Sequence, residues 1–122
     1  SGINRRINRE KLEYSKLCKE LEDSKNIRSM VFKGFSKLIR LRRQQRAFSP
    51  AACQEVLLLD ERVFSLIRHN KNSDERILVL VNVSDSEYEV SYDCKGTDII
   101  TGEAVRKGRI HMKPYQVRWI RY

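Results

Sequence analysis

The stretch Ile77-Leu78-Val79-Leu80-Val81-Asn82-Val83 decides the fold of this sequence. A strand with one wet face alternates apolar and polar residues, whereas this run is almost continuously apolar. It is also far shorter than the roughly 18 apolar residues that cross a bilayer. We therefore predict a central strand that is covered on both faces, and we expect no membrane partner.

Shorter strand-like runs lie on both sides of this central strand. Residues 54–59 and 62–68 flank Asp60-Glu61 and predict a hairpin, and 88–92 alternates apolar and polar residues. Further short strands are predicted at 99–100, 103–105, 109–112 and 115–119. About eight short strands separated by turns are typical of a small antiparallel sandwich or barrel.

The first 48 residues have a different pattern. Ser15 is a candidate N-cap for a short helix, and apolar residues in 26–46 recur at spacings of three and four, which predicts a longer one. Phe32 and Ile39 widen the apolar stripe of that longer helix beyond what one packing partner covers. The predicted fold class is α+β by content, with an N-terminal helical arm followed by an all-β antiparallel sandwich.

The charge of the chain is concentrated in its helical part. The 122 residues carry a formal charge of +9 at pH 7, with 14 Lys and Arg against 5 Asp and Glu in residues 1–48, and 11 of each in 49–122. Clustered cations are typical of nucleic-acid binding. A self-standing basic module that binds nucleic acid through the helix 26–46 therefore stays open, although the interleaved apolar residues favour a packed helix with a solvated basic face.

No catalytic or metal-binding constellation is apparent in the sequence. Cys18, Cys53 and Cys94 are widely spaced and form no CxxC pair, which favours neither disulfides nor zinc and indicates a reducing, cytoplasmic setting. His69 and His111 adjoin no nucleophile motif, and no glycine-rich phosphate loop is present. We therefore expect no catalytic residue, no metal and no cofactor in this chain.

The single tryptophan, Trp119, lies in the last predicted strand. It shares a face with Tyr115 and Val117, so we predict that it fills the core. Stacking against a sugar ring is the less favoured alternative, because the sequence reveals no exposed aromatic partner.

The opening residues Gly2-Ile3-Asn4-Arg5-Arg6-Ile7-Asn8-Arg9 have the form G-x-x-R-x-I-N-R. This motif resembles the segment that follows the eighth strand in sucrose phosphorylases and their relatives in the alpha-amylase superfamily of glycoside hydrolases. The similarity continues in the same order through residues 31–35, 38–42, 47–48, 63–68, 78–84 and 115–120. The resemblance therefore spans nearly the whole chain.

This resemblance implies that the chain is the C-terminal piece of a larger enzyme. Residues 1–48 would be a loop and helical segment from the end of a (β/α)₈ barrel, and 49–122 a C-terminal β-sandwich domain that braces the barrel. In that family an Asp nucleophile and a Glu acid/base from earlier strands transfer a glucosyl group, with retention, between a glucoside and phosphate or water. Neither carboxylate belongs to this segment, so we expect no turnover by the isolated chain.

The resemblance also implies partners and one substrate-binding residue. Arg5 matches the first arginine of the motif and would bind sugar or phosphate in the parent enzyme, because a guanidinium pairs bidentately with phosphate oxygens. Asn8 and Arg9 would hold the loop in shape, whereas Arg6 departs from the acidic or small residue expected there. The implied partner is the parent barrel domain, and without it we expect the helix to fold onto the sandwich or the fragment to self-associate.

Overall fold

A computed structural model describes residues 11–122 of the chain. The described helices are α1 (Tyr14–Glu22), α2 (Ile27–Gln44) and a 3₁₀ turn (Arg46–Phe48). The strands are β1 (Cys53–Asp60), β2 (Val63–His69), β3 (Arg76–Asn82), β4 (Tyr88–Tyr92), β5 (Gly96–Asp98), β6 (Ala104–Val105), β7 (Gly108–Met112) and β8 (Val117–Arg121). Helices followed by antiparallel strands confirm the predicted fold class.

The chain divides into two compact units, one ending at Leu38 and the other formed by Ile39–Tyr122. The predicted division into residues 1–48 and 49–122 concerns the domains of a larger enzyme and stays a prediction. Within residues 11–122, no helix combines the length and apolar character needed to cross a membrane.

The two helices begin at different kinds of cap. Asn26 caps α2, because its side-chain oxygen accepts a hydrogen bond from the Arg28 amide at 2.9 Å. Ser15 does not cap α1: it lies inside the helix, and its hydroxyl donates to the Glu13 carboxylate at 2.7 Å. In the first unit the hydroxyl of buried Ser29 donates to the Leu21 carbonyl at 2.8 Å, which ties α2 to α1.

The strands form a six-stranded sheet of order β1-β2-β3-β8-β5-β6 and a two-stranded sheet of β4 and β7. The main core contains side chains from both sheets, including Leu78, Leu80, Val90, Ile110 and Met112. A second, smaller cluster lies on the opposite face of β3, where Ile77 and Val79 pack against Ala47 of the 3₁₀ turn. The prediction that β3 is central and covered on both faces is therefore confirmed.

The predicted strand at 99–100 is wrong, because Asp98 closes a turn there. The Asp98 carboxylate accepts a hydrogen bond from the Ile100 amide at 3.0 Å, and its carbonyl accepts one from the Gly102 amide at 2.7 Å. Gly102 has φ +83°, which favours glycine. On the side away from β3, the strand that pairs with β8 is β5. A Cβ on Gly96 would overlap the backbone of Arg121, so this pairing requires glycine.

Candidate functional site

The residues that the resemblance singles out, Arg5, Asn8 and Arg9, lie outside the described residues, as does Arg6. Their roles in binding phosphate and shaping a loop therefore stay predictions. Among the described residues, the side chains that are candidates for a functional site lie on α2, in the 3₁₀ turn and on the sheet.

The described histidines and cysteines do not come together. His69 ends β2, and His111 lies on β7 with its Nε2 3.7 Å from a Glu87 carboxylate oxygen. The three cysteines are free thiols. Burial raises the pKa of the Cys94 thiol, and the negative charge of Asp93 raises it further. Residues 11–122 contain no group of three or more His, Cys, Asp and Glu side chains that could hold a metal ion.

Helix α2 exposes a broad set of apolar side chains. Ile27 is 74% exposed, Phe35 is 64% exposed, and Ser29 is the buried residue of this helix. In the first unit, these side chains and α1 border a cavity of about 630 Å³, which we call the apolar groove. Its lining includes Leu12, Leu17, Leu21, Val31, Phe32 and Phe35. This exposure agrees with the prediction that the helix needs more than one packing partner.

The cations of α2 share the helix with these exposed apolar side chains. Arg28 is paired with Glu20, whose carboxylate lies 3.1 Å from its guanidinium. A helix whose exposed surface is both apolar and basic is not typical of a phosphate-binding face. The geometry gives no support to the nucleic-acid alternative.

A second cavity, of about 430 Å³, lies on the outer face of the six-stranded sheet. The rings of Phe48 and Trp119 are 4.8 Å apart between centroids and tilted by 60°. Leu66 and Val79 line the cavity, and Arg42, Pro50 and Arg68 complete it. We call it the aromatic cavity.

Arg68 fixes one wall of the aromatic cavity. Its guanidinium donates to the Ala47 carbonyl at 3.2 Å, the Ser49 carbonyl at 2.7 Å and the Gln54 side-chain oxygen at 3.1 Å. The amide of Ala47 also donates to the Glu75 carboxylate at 2.7 Å. These bonds hold the 3₁₀ turn, and with it Phe48, against the sheet.

The structure corrects the predicted environment of Trp119. Tyr115 has φ +54° in the turn before β8 and is 69% exposed, so it is not a core residue. Trp119 is half-buried in the smaller cluster and pairs with Phe48, which comes from the 3₁₀ turn. Sequence spacing gave no signal for this pair, because the two residues meet only through tertiary packing.

Residues 65–121 match the family described as "Beta-galactosidase C-terminal domain". A glucosylglycerate phosphorylase of Spirochaeta thermophila is 46% identical over 73% of this chain and 15% of its own length. A glucosylglycerate phosphorylase of Escherichia coli is 32% identical over 98% of this chain and 22% of its own length. An Anoxybacillus alpha-amylase structure shares the fold, with a TM-score of 0.67 over 81% of this chain and 23% of that chain at 14% identity.

The chain thus spans about a fifth of the length of the curated relatives it matches, or less. The similarity covers the helices and the sheet together in the Escherichia coli relative, whereas the family match is confined to the strands from β2 onward. These findings confirm the resemblance to sucrose phosphorylase-like enzymes of the alpha-amylase superfamily: the chain is a homologue of glucosylglycerate phosphorylases, and its residues 65–121 resemble a glycosidase C-terminal domain.

Proposed function

We propose that this chain is the non-catalytic C-terminal part of a glycoside phosphorylase, in which the β-domain braces a catalytic barrel. The observation that carries the proposal is similarity over 98% of this chain to only 22% of a glucosylglycerate phosphorylase. The remainder of such an enzyme would contain the catalytic Asp and Glu. The three free thiols agree with a cytoplasmic setting for the whole enzyme.

The reaction of the whole enzyme would be transfer of a glucosyl group from glucosylglycerate to inorganic phosphate. In a retaining mechanism the Asp carboxylate displaces glycerate from the glucosyl carbon while the Glu donates a proton to the departing oxygen. A phosphate oxygen then displaces the Asp, and the product is a glucose 1-phosphate. Arg5 would hold the phosphate at that step, since its guanidinium stays charged and pairs with two oxygens at once.

The size and the activity of the native polypeptide test the proposal. An antibody raised against this chain should detect a protein several times larger than 14.5 kDa in the source cells. We expect that larger protein to release glucose 1-phosphate from glucosylglycerate when phosphate is present, and the 122-residue chain to release none. A native polypeptide of 14.5 kDa, or a larger one without phosphate-dependent turnover, would overturn the proposal.

Arg5 is tested by an Arg5→Ala variant of the larger polypeptide, with Arg6→Ala as the matched control. If Arg5 binds phosphate, its loss raises the KM for phosphate at least about tenfold, because a charge-assisted hydrogen bond contributes roughly 1.5–3 kcal/mol. The KM for the glucoside should change little. Equal effects of the two substitutions would show that position 5 has no special role.

The apolar groove is the surface through which we propose that α2 packs against the barrel. Phe35→Ser should lower the thermal midpoint of the larger polypeptide, because Phe35 would be buried there. In the 122-residue chain, where Phe35 is 64% exposed, the same substitution should leave the midpoint unchanged. Lys33→Ser is the control on the same helix. A midpoint that is unchanged in the larger polypeptide would contradict packing through the groove.

A further inference from the structure

The aromatic cavity is positively charged, and no carboxylate lines it. Arg68 is half-buried, and the three acceptors of its hydrogen bonds, two backbone carbonyls and an amide oxygen, are all neutral. Arg42, at the edge of the cavity, makes no ion pair with any acid among residues 11–122. A partly buried charge without a counter-charge is costly. An anionic group in the cavity would balance it.

The guanidinium of Arg68 has donors to spare for such a group. An arginine carries five N–H bonds, and the three hydrogen bonds described above leave two uncommitted. Arg42, in the last turn of α2, is exposed and also lines the cavity. Two planar guanidinium groups at one cavity suit a phosphate or carboxylate, because each can pair with two oxygens of the anion at once.

The aromatic part of the lining suits a sugar ring better than a planar base. Phe48 and Trp119 are tilted by 60°, so their rings form a corner and leave no parallel slot for a flat aromatic ligand. A pyranose is thick and carries C–H groups on its faces and hydroxyls at its rim, so it fills a corner of this kind.

The volume of the cavity agrees with a small ligand. About 430 Å³ lies within the range of roughly 300–1,000 Å³ that is usual for small-molecule sites. The wall is largely rigid, because the hydrogen bonds of Arg68 and Glu75 fix the turn that carries Phe48. We propose that the aromatic cavity binds a monosaccharide that carries a phosphate or carboxylate group. This site needs no catalytic residue, so the proposal that it binds a sugar can be tested independently of the proposed function.

Trp119 is the only tryptophan of the chain, so its fluorescence reports directly on this cavity. We would titrate the 122-residue chain with glucose 1-phosphate, glucuronate, glucose and inorganic phosphate. Both anionic sugars should give a saturable change, at affinities at least about tenfold higher than that of glucose, since a charge-assisted hydrogen bond is involved. Phosphate that binds as tightly as glucose 1-phosphate, or glucose that binds as tightly as either anionic sugar, would overturn the proposal.

Substitutions of two arginines on α2 test whether the ligand binds in the aromatic cavity. Arg42→Gln should weaken binding of glucose 1-phosphate about tenfold or more, whereas Arg40→Gln, on the same helix but outside the cavity, should not change it. Arg42 is exposed, so its substitution leaves folding intact. Equal losses in the two variants, together with tighter binding of a single-stranded oligonucleotide than of either sugar, would overturn the proposal in favour of a nucleic-acid face.

The cavity must also be open in the native protein. A calorimetric titration of the larger polypeptide that the antibody detects should give the same affinity for glucose 1-phosphate as the 122-residue chain, within about threefold. Binding that is present in the 122-residue chain but absent in the larger polypeptide would overturn the proposal, because the rest of the enzyme would then cover the cavity.

Discussion

The carboxylate of Asp98 and the guanidinium of Arg118 form an ion pair inside the β-domain, with Oδ2 and Nε 3.0 Å apart. The Asp98 side chain is fully buried, and the Arg118 side chain is 10% exposed. Arg118 also donates to the His111 carbonyl at 3.2 Å, and Asp98 also accepts from the Ile100 amide. The pair therefore connects β5, β7 and β8. Removal of Arg118 would leave the buried Asp98 charge without a counter-charge, and removal of Asp98 would leave Arg118 with only the exposed Glu103 carboxylate, 3.5 Å away.

Asp98→Ala should lower the free energy of unfolding by about 3–5 kcal/mol, the usual cost of breaking a buried pair by removing one partner. The matched control is Glu89→Ala, since Glu89 and Arg109 are 3.1 Å apart but both side chains are more than half exposed. That substitution should cost about 1 kcal/mol or less. Urea unfolding followed by circular dichroism measures both, and similar losses in the two variants would contradict the structural role of Asp98.

Ala47 is completely buried between the 3₁₀ turn and the sheet, in contact with the cluster around Ile77 and Val79. Ala47→Leu should therefore destabilise the domain by about 1–3 kcal/mol through overpacking. Because Phe48 is the next residue, the turn should shift and move the emission of Trp119 to longer wavelength. Ala51→Leu, at an exposed site, should change neither the urea midpoint nor the emission. An unchanged spectrum in Ala47→Leu would contradict this packing.

The regular parts of the fold follow from local pattern. The apolar run at 77–83 predicts β3 as central, because a short and almost continuous run of Ile, Leu and Val indicates a strand that is covered on both faces. The predicted strand at 99–100 fails because the Asp98 carboxylate and Gly102 close a turn, which overrides the β preference of two isoleucines. The local hydrophobic pattern thus predicts strands, but it does not reveal a turn that is closed by a side-chain hydrogen bond.

The candidate sites depend on contacts between distant residues. Arg118 alternates with apolar neighbours and is expected at a wet face, yet it is buried because Asp98, 20 residues earlier, neutralises it. Phe48 and Trp119 come from opposite ends of the sheet unit and meet because Arg68 holds the 3₁₀ turn. Sequence spacing contains neither relationship, so the aromatic cavity emerges only from the tertiary structure.

Tyr122 should make the domain sensitive to alkaline pH. Burial, reinforced by a hydrogen bond between the hydroxyls of Tyr92 and Tyr122 at 3.2 Å, raises the pKa of Tyr122 well above its usual range. The folded state thus keeps a proton that the unfolded chain releases near pH 10. This stabilisation is full below pH 10 and is lost progressively as pH rises above it.

Tyr122→Phe should flatten the fall in unfolding free energy between pH 9 and pH 11.5, because the ionising group is gone. It should also cost about 0.5–1.5 kcal/mol at pH 8 through loss of the hydroxyl pair. Urea unfolding across this pH range measures both effects, with exposed Tyr115→Phe as the control. If the slopes of Tyr122→Phe and the unmodified chain coincide, Tyr122 does not titrate as the structure requires.

Asp60 should stay ionised to unusually low pH. Its oxygens accept hydrogen bonds from the Arg62 guanidinium at 2.8 and 2.7 Å and from the Arg62 amide at 2.9 Å, and these bonds lower its pKa from 3.8 to about 2. The guanidinium in turn lies over the ring of Tyr88, 3.6 Å from its centroid, which fixes its orientation. Because the folded pKa is depressed, the stabilisation is complete above about pH 4 and is lost as pH falls toward 2.

A carboxyl-carbon NMR titration should give Asp60 a pKa of about 2 in the unmodified chain. Arg62→Gln should return that pKa toward 3.8, whereas Arg109→Gln should leave it unchanged. A value near 3.8 in the unmodified chain, or an equal shift in both variants, would show that the Arg62 contacts do not hold the hairpin turn in solution.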